Sequence, residues 1–257
     1  MPFTLAHPAA VLPLRRLRYL QTVPLIIGSL TPDLPYYVPA RYGHAVLPET
    51  HTFFGSFAAD VPIGFALFAS MFLLRRSLTA LMSARARSLC LQALQRFMDR
   101  PWQWVLAPFS LLLGAWTHIA WDSFTHSDGW MVRRVPALSA PISFGWYTGE
   151  LCHVLQYVSS AVGLTVLAVW YWRLPTPVLE PAGTSVRWSG WRVLLLVVAA
   201  AILIGGFQAA QSAVHAQSIY RVLYLLLTRT LAWFAVLYLA AGTLVVLSRR
   251  AEPEFQS

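Results

Sequence analysis

The sequence predicts an all-α, polytopic membrane bundle of five to six spans with an N-terminal interfacial or re-entrant region. Three observations lead there. The chain is 57% hydrophobic and only 11% charged, where a soluble domain carries about a quarter charged residues. Its apolar residues gather into runs approaching the roughly 20 residues that cross a bilayer. Its basic residues, all of them arginine, lie mainly between those runs, as topology signals do. A net charge of +9 also suits nucleic acid, but this placement points to the lipid bilayer as the partner and excludes nucleic acid.

Taken in order, residues 1–50 hold no run long enough to span. Leu20–Leu30 is apolar but short, and it ends at "TPDLPYY", where Pro32 and Pro35 disfavour a regular helix. Helical fragments at the membrane surface, partly re-entrant, are expected there, since irregular backbone at depth must be satisfied by protein or water. "MPFTLAHPAAVLPLRRLR" carries its arginines after the apolar stretch, unlike a signal peptide, and is expected to remain in the mature chain. The expected spans are Phe57–Leu74, Val105–Trp121, Leu151–Trp172, Val193–Ala210 and Leu231–Leu247. Residues 1–257 read as a single integral membrane domain, with the motifs in 1–130 and mostly plain transmembrane helices in 151–250. Arg75, Arg76, Arg85, Arg87, Arg96 and Arg100 fall in an expected loop over 75–100, and Arg173, Arg187 and Arg192 in the loop 173–192. With Arg249 and Arg250 they mark one side as cytoplasmic. The other side receives Arg133, Arg134 and Arg221 together with Arg15, Arg16, Arg18 and Arg41, and these last four weaken the bias. Cys90 and Cys152 form no CxxC, so neither a disulfide nor a thiolate metal site is expected.

Against this apolar background "GAWTHIAWDSFTH" (114–126) stands out. His118 and Asp122 are four apart and share a helix face, with Thr125 on the same face and His126 continuing it if the helix does. Gly114, one turn earlier, allows another helix to approach. Ionisable groups at membrane depth are costly and mark functional sites. A His and a carboxylate one turn apart suit one metal ion. They equally suit a buried hydrogen-bonded pair that ties helices together. Under the five-span order His7, Asp33, His51, Asp60, Glu150 and His153 approach the same membrane face, as does His44, and His215 lies at that side in a plain loop.

"PFTLAHPAAVLPL", "IGSLTPDLPYY", "HTFFGSFAADVPIGF" and "GAWTHIAWDSFTH" together resemble the bacterial membrane family catalogued as domain of unknown function 4184, over about residues 2–130 and more loosely beyond. The order of motifs is also similar to the YdjM-like inner-membrane proteins, described by inference as metal-dependent hydrolases. Gly114, His118, Asp122, Thr125 and Gly129 fit their last element, and His51 and Thr52 fit an earlier one in which Phe53 replaces the usual Ser. Asp33 fits the Pro-Asp element, where Tyr36 or Tyr37 stands in place of a second acidic residue. The resemblance implies a multi-pass protein of the bacterial inner (cytoplasmic) membrane.

The expected site takes His7, Asp33, His51, His118 and Asp122 as metal ligands, with Asp60, His126 and Glu150 as candidates for acid–base work. Mixed imidazole and carboxylate donors suit a divalent metal, zinc first, with manganese or iron as alternatives. The expected function is a metal-dependent membrane hydrolase acting on an ester or phosphodiester, lipid-like substrate. Two alternatives use the same residues: a non-catalytic membrane protein with a structural His/Asp cluster, and an ion or proton-coupled transporter. The last disfavours itself, because "VLLLVVAAAILIGG" and "LAWFAVLYLAAGTLVVL" carry almost no polar groups for a path across the membrane.

Overall fold

The structure, a computed structural model, describes residues 3–38, 49–145, 147–175, 190–213 and 219–251. Arg41, His44, Arg187 and His215 lie outside the described residues. Short helices open the chain: α1 (Pro8–Val11), α2 (Thr22–Gly28) and three 3-10 turns, the last of which, Thr31–Tyr37, accommodates Pro35. Then come α3 (Phe53–Leu73), α4 (Arg75–Ala80), α5 (Ala84–Asp99) and α6 (Gln103–Thr125). An antiparallel pair, β1 (Pro141–Phe144) and β2 (Tyr147–Glu150), precedes α7 (Leu151–Arg173), α8 (Gly190–Ala213) and α9 (Ile219–Ala251). Among the described residues five helices, α3, α6, α7, α8 and α9, are long and apolar enough to cross a membrane. The chain is therefore an α-helical, multi-pass membrane protein.

Three sequence expectations change. The segment 75–100 is helical, not a loop. Leu94 and Phe97 of α5 are three apart and buried, while Arg85, Arg87 and Arg96 share the same helix. The arginines that suggested a loop belong to an amphipathic helix, and the Arg87 guanidinium donates to the Thr79 and Ala80 carbonyls at the end of α4. Second, the β1–β2 hairpin was not foreseen. Its turn begins at Gly145 with φ 57°, the conformation that tight hairpin turns require.

The third change concerns the N-terminal arginines. The contacts divide the chain into two compact units. In the first (residues 1–35, 41–69 and 99–175) residues 3–16 run beside α7. The Phe3 amide donates to Ser160 Oγ, Ala6 faces Gly163, and Arg15 lies over the Trp170 ring. The chain then turns and α2 returns along α6, with Gln21 on Ser110, Leu25 on Gly114 and Ser29 on His118. Residues 3–33 thus form a re-entrant hairpin packed on two spans, largely buried at Thr4, His7, Val11, Leu25, Thr31 and Asp33. Arg15 and Arg16 reach the Arg173 end of α7. They join Arg173 at that end instead of lying opposite it.

Close packing fixes α2 on α6. A Cβ added at Gly114 would run into the Leu25 carbonyl, and one at Gly28 into the Leu111 carbonyl. The paired glycines let two backbones touch, the usual device where lipid offers no hydrophobic drive. Trp121 Nε1 donates to Ser159 Oγ and joins α6 to α7. In the second unit α8 packs on α9, and α9 packs on α4, with the Tyr238 hydroxyl donating to the Leu78 carbonyl.

Candidate metal centre

The register of α2 on α6 sets the first ligand. Ser29 follows the last turn of α2, and its carbonyl accepts from His118 Nδ1 at 2.8 Å. A carbonyl can only accept, so Nδ1 carries the proton and Nε2 presents a lone pair. The same logic holds at His51. The Thr50 hydroxyl spends its proton on the Pro32 carbonyl at 2.8 Å, so His51 Nδ1, 3.3 Å from Thr50 Oγ1, is the donor there. Its Nε2 is also a lone pair facing inward.

Both lone pairs meet carboxylates. His51 Nε2 lies 3.5 Å from Asp33 Oδ1 and 3.6 Å from Asp122 Oδ2. His118 Nε2 lies 3.6 Å from Asp33 Oδ1 and 3.3 Å from Asp122 Oδ2. Asp33 is turned into this position by the Thr4 hydroxyl, which donates to its other oxygen at 2.6 Å. All four ligand atoms fall within 4.8 Å of one another. His118 Nε2 and Asp33 Oδ1 are buried without a hydrogen-bond partner.

Four acceptors converging in a buried space repel unless a cation sits among them. A tetrahedral ion holding imidazole nitrogens and carboxylate oxygens at about 2.0–2.2 Å separates its ligand atoms by about 3.3–3.6 Å. The four nitrogen–oxygen separations, 3.3 to 3.6 Å, fit that spacing and are long for hydrogen bonds. Two carboxylates and two neutral imidazoles also balance a divalent charge, which matters where solvent is scarce. The cluster is thus able to hold a divalent metal ion.

Without a metal the side chains compensate with a proton. Burial works to lower the His51 pKa, but the facing Asp122 and Asp33 carboxylates overcome it and push the group up to about 9. Burial likewise works to raise Asp33, and the His118 and His51 imidazoles with the Thr4 hydroxyl hold it well below the ordinary carboxylate range. His7 goes the other way, pushed down to about 3 by burial first and by His118 second, which keeps its ring neutral.

The remaining expected residues surround the quartet in different ways. His7 is not one of the four converging ligands. Its ring stacks on His118 with centroids 3.6 Å apart, so its Nε2 reaches the opposite oxygen of Asp122, Oδ1, at 3.5 Å. Neither His7 nitrogen has a hydrogen-bond partner. His126 caps α6, with Nδ1 3.6 Å from Asp122 Oδ2 and 3.2 Å from the Asp122 carbonyl. Asp60 is fully buried in a π-helical turn of α3, Ser56–Asp60, with neither carboxylate oxygen hydrogen-bonded and with His51 and His118 as electrostatic neighbours. Glu150, at the end of β2, instead gathers with Cys152 and His153 in a second group, its Oε2 accepting from Cys152 Sγ at 3.4 Å. The cluster opens to its surroundings through His51 and His126, whose side chains are 30% and 25% exposed, while Asp33 and His118 are closed.

Thr4, Ser29 and Thr50 orient the ligands and were missed in the sequence. Thr4 and Ser29 do stand inside the quoted motifs, and Thr50 stands just before the one that begins at His51. Outer-shell partners of this kind typically change metal affinity by about 10–100-fold. Thr4→Val is therefore expected to weaken metal binding by about that factor in competition with a chromogenic chelator. Thr117→Val, whose hydroxyl donates only to the Gly114 carbonyl, should leave it unchanged.

Comparison with curated proteins and with solved structures returns no match. The family model described as "Domain of unknown function (DUF4184)" matches residues 1–246, nearly the whole chain and every element of the cluster, and the protein belongs to that family.

Proposed function

We propose that the protein is a metal-dependent membrane hydrolase, with Asp33, His51, His118 and Asp122 holding the ion and an ester or phosphodiester of lipid-like character as substrate. Zinc suits the donor set first, with manganese or iron as alternatives. When bound, such an ion supplies Lewis acidity and acidifies water. The observation that carries catalysis is the surplus of ionisable groups. Beyond the four ligands, His7 and Asp60 are buried with unpartnered polar atoms, and His126 adjoins Asp122. A structural site needs none of these, and each costs desolvation. His126, partly exposed, is the group placed to pass a proton at Nδ1 between the cluster and its surroundings. Asp60 lies behind the cluster as a second acid–base candidate. Glu150 is not proposed, because it groups with Cys152 and His153.

One observation favours a structural metal instead. Four donors already fill a tetrahedron, whereas catalytic zinc sites keep a position open. The two readings separate experimentally. Detergent-purified protein loaded with zinc should hydrolyse a chromogenic phosphodiester or a long-chain acyl ester. His126→Ala should keep its metal and lose about 10²–10⁴-fold in kcat, with Asp60→Asn also retaining metal. A fully loaded wild type that turns over neither substrate would leave the structural reading standing.

A further inference from the structure

A groove of about 570 Å³ lies in the first unit at the far end of α7, lined by Leu12, Arg15 and Arg16 and by α7 residues from Thr165 onward. Ser159, level with Trp121 of α6, is fourteen residues before Arg173, which puts the groove roughly 20 Å along the helix from the metal cluster. Three guanidiniums line it, Arg15, Arg16 and Arg173, above an apolar floor that includes Val166, Val169 and Trp170.

Apart from the Thr165 hydroxyl, the polar lining consists of donors. Among the described residues none of the three arginines is ion-paired. Arg15 lies over the Trp170 ring at 5.8 Å, and the Trp170 indole N–H is buried with no acceptor. The Thr165 hydroxyl spends its proton on the Ala161 carbonyl. Such a set lacks an anionic acceptor, and guanidinium forks match phosphate oxygens.

The surroundings identify what carries the phosphate. Trp172, 71% exposed beside Arg173, marks headgroup depth, where amphipathic rings collect. From the groove an exposed stripe of Val169, Val166, Val162, Val158 and Leu155 runs back along one face of α7, the track an acyl chain would follow. We propose that this groove binds a glycerophospholipid with a net negative headgroup, its phosphate held by Arg15, Arg16 and Arg173 and one chain lying on the α7 stripe. Basic pockets at span ends recognise anionic lipids in this way.

The test is native mass spectrometry of the full chain in detergent, offered phosphatidylglycerol or phosphatidylcholine. The wild type should retain phosphatidylglycerol at least about tenfold more tightly. Millimolar inorganic phosphate should not displace it. Arg15→Gln, Arg16→Gln and Arg173→Gln combined should abolish the preference, and Arg133→Gln, beyond the other end of the helix pair, should keep it. Equal retention of the two lipids by the wild type would overturn the proposal, as would displacement by free phosphate or a preference that survives the triple change. If the triple variant does not fold, Arg173→Gln alone with the wild-type comparison decides, because the single exposed change leaves the packing intact.

Discussion

Gly114→Val is expected to destabilise the protein by about 3 kcal/mol and to lower its metal content together with its melting temperature. The Cβ at this position meets backbone, the Leu25 carbonyl and the Ser29 amide, so no side-chain rotation relieves the clash. α2 must move off α6. Ser29, at the end of α2, carries the carbonyl that fixes the His118 tautomer, so the displacement reaches the cluster directly. Gly114→Ala should show the same two effects in smaller measure. Thermal unfolding in detergent, read beside elemental analysis, checks both. A valine variant as stable as the wild type would mean that α2 and α6 are not packed as described.

Asp122→Ala is the second large effect, and it is chemical where the first is steric. Asp122 touches four histidines, His7 through Oδ1 and His51, His118 and His126 through Oδ2. Removing it deletes a ligand and half of the negative charge that balances a divalent ion. The loss of affinity should exceed the 10–100-fold of about one outer-shell change. Because metal binding adds to folding free energy, added zinc should raise the melting temperature of the wild type and not that of the variant. Asp128→Ala, three residues past the end of the helix, should respond to zinc as the wild type does.

The legible part of the fold was the part written in long apolar runs. Five to six spans were expected, and among the described residues five helices of spanning character are found, four of them close to the expected bounds and the last beginning well before the expected Leu231, at Arg221. The re-entrant hairpin was only partly legible. Its fragments are too short to show a period, and their direction along α6 and α7 depends on contacts such as Leu25 on Gly114 that no local pattern encodes. For that reason Arg15 and Arg16 were counted opposite Arg173, with which they share a groove. α5 was hidden because arginines interrupt its apolar spacing, and a loop rich in arginine looks the same.

The cluster was more legible than its surroundings. A charged group inside an apolar run is conspicuous, so His118, Asp122, Asp33 and His51 stood out individually. Their convergence follows from the chain returning three times to one end of α6, at the close of α2, before α3 and in α6 itself. His7 was expected among the ligands because its segment adjoins the same membrane face, and its ring stacks on His118 with Nε2 near the outer oxygen of Asp122. Thr4 and Thr50 carried no signal of their own, since a hydroxyl that orients a ligand is recognisable only once the ligand's position is known.

The central claim is that Asp33, His51, His118 and Asp122 bind a metal ion. Elemental analysis of the purified protein, followed by X-ray absorption at the edge of whatever metal is found, tests it most directly. The account predicts one divalent ion per chain in a shell of nitrogen and oxygen at about 2.0–2.2 Å, with imidazole scattering and no sulfur. Protein that binds no metal after reconstitution, or a shell containing sulfur at about 2.3 Å, which only the Cys152 group could supply in this part of the chain, would contradict it.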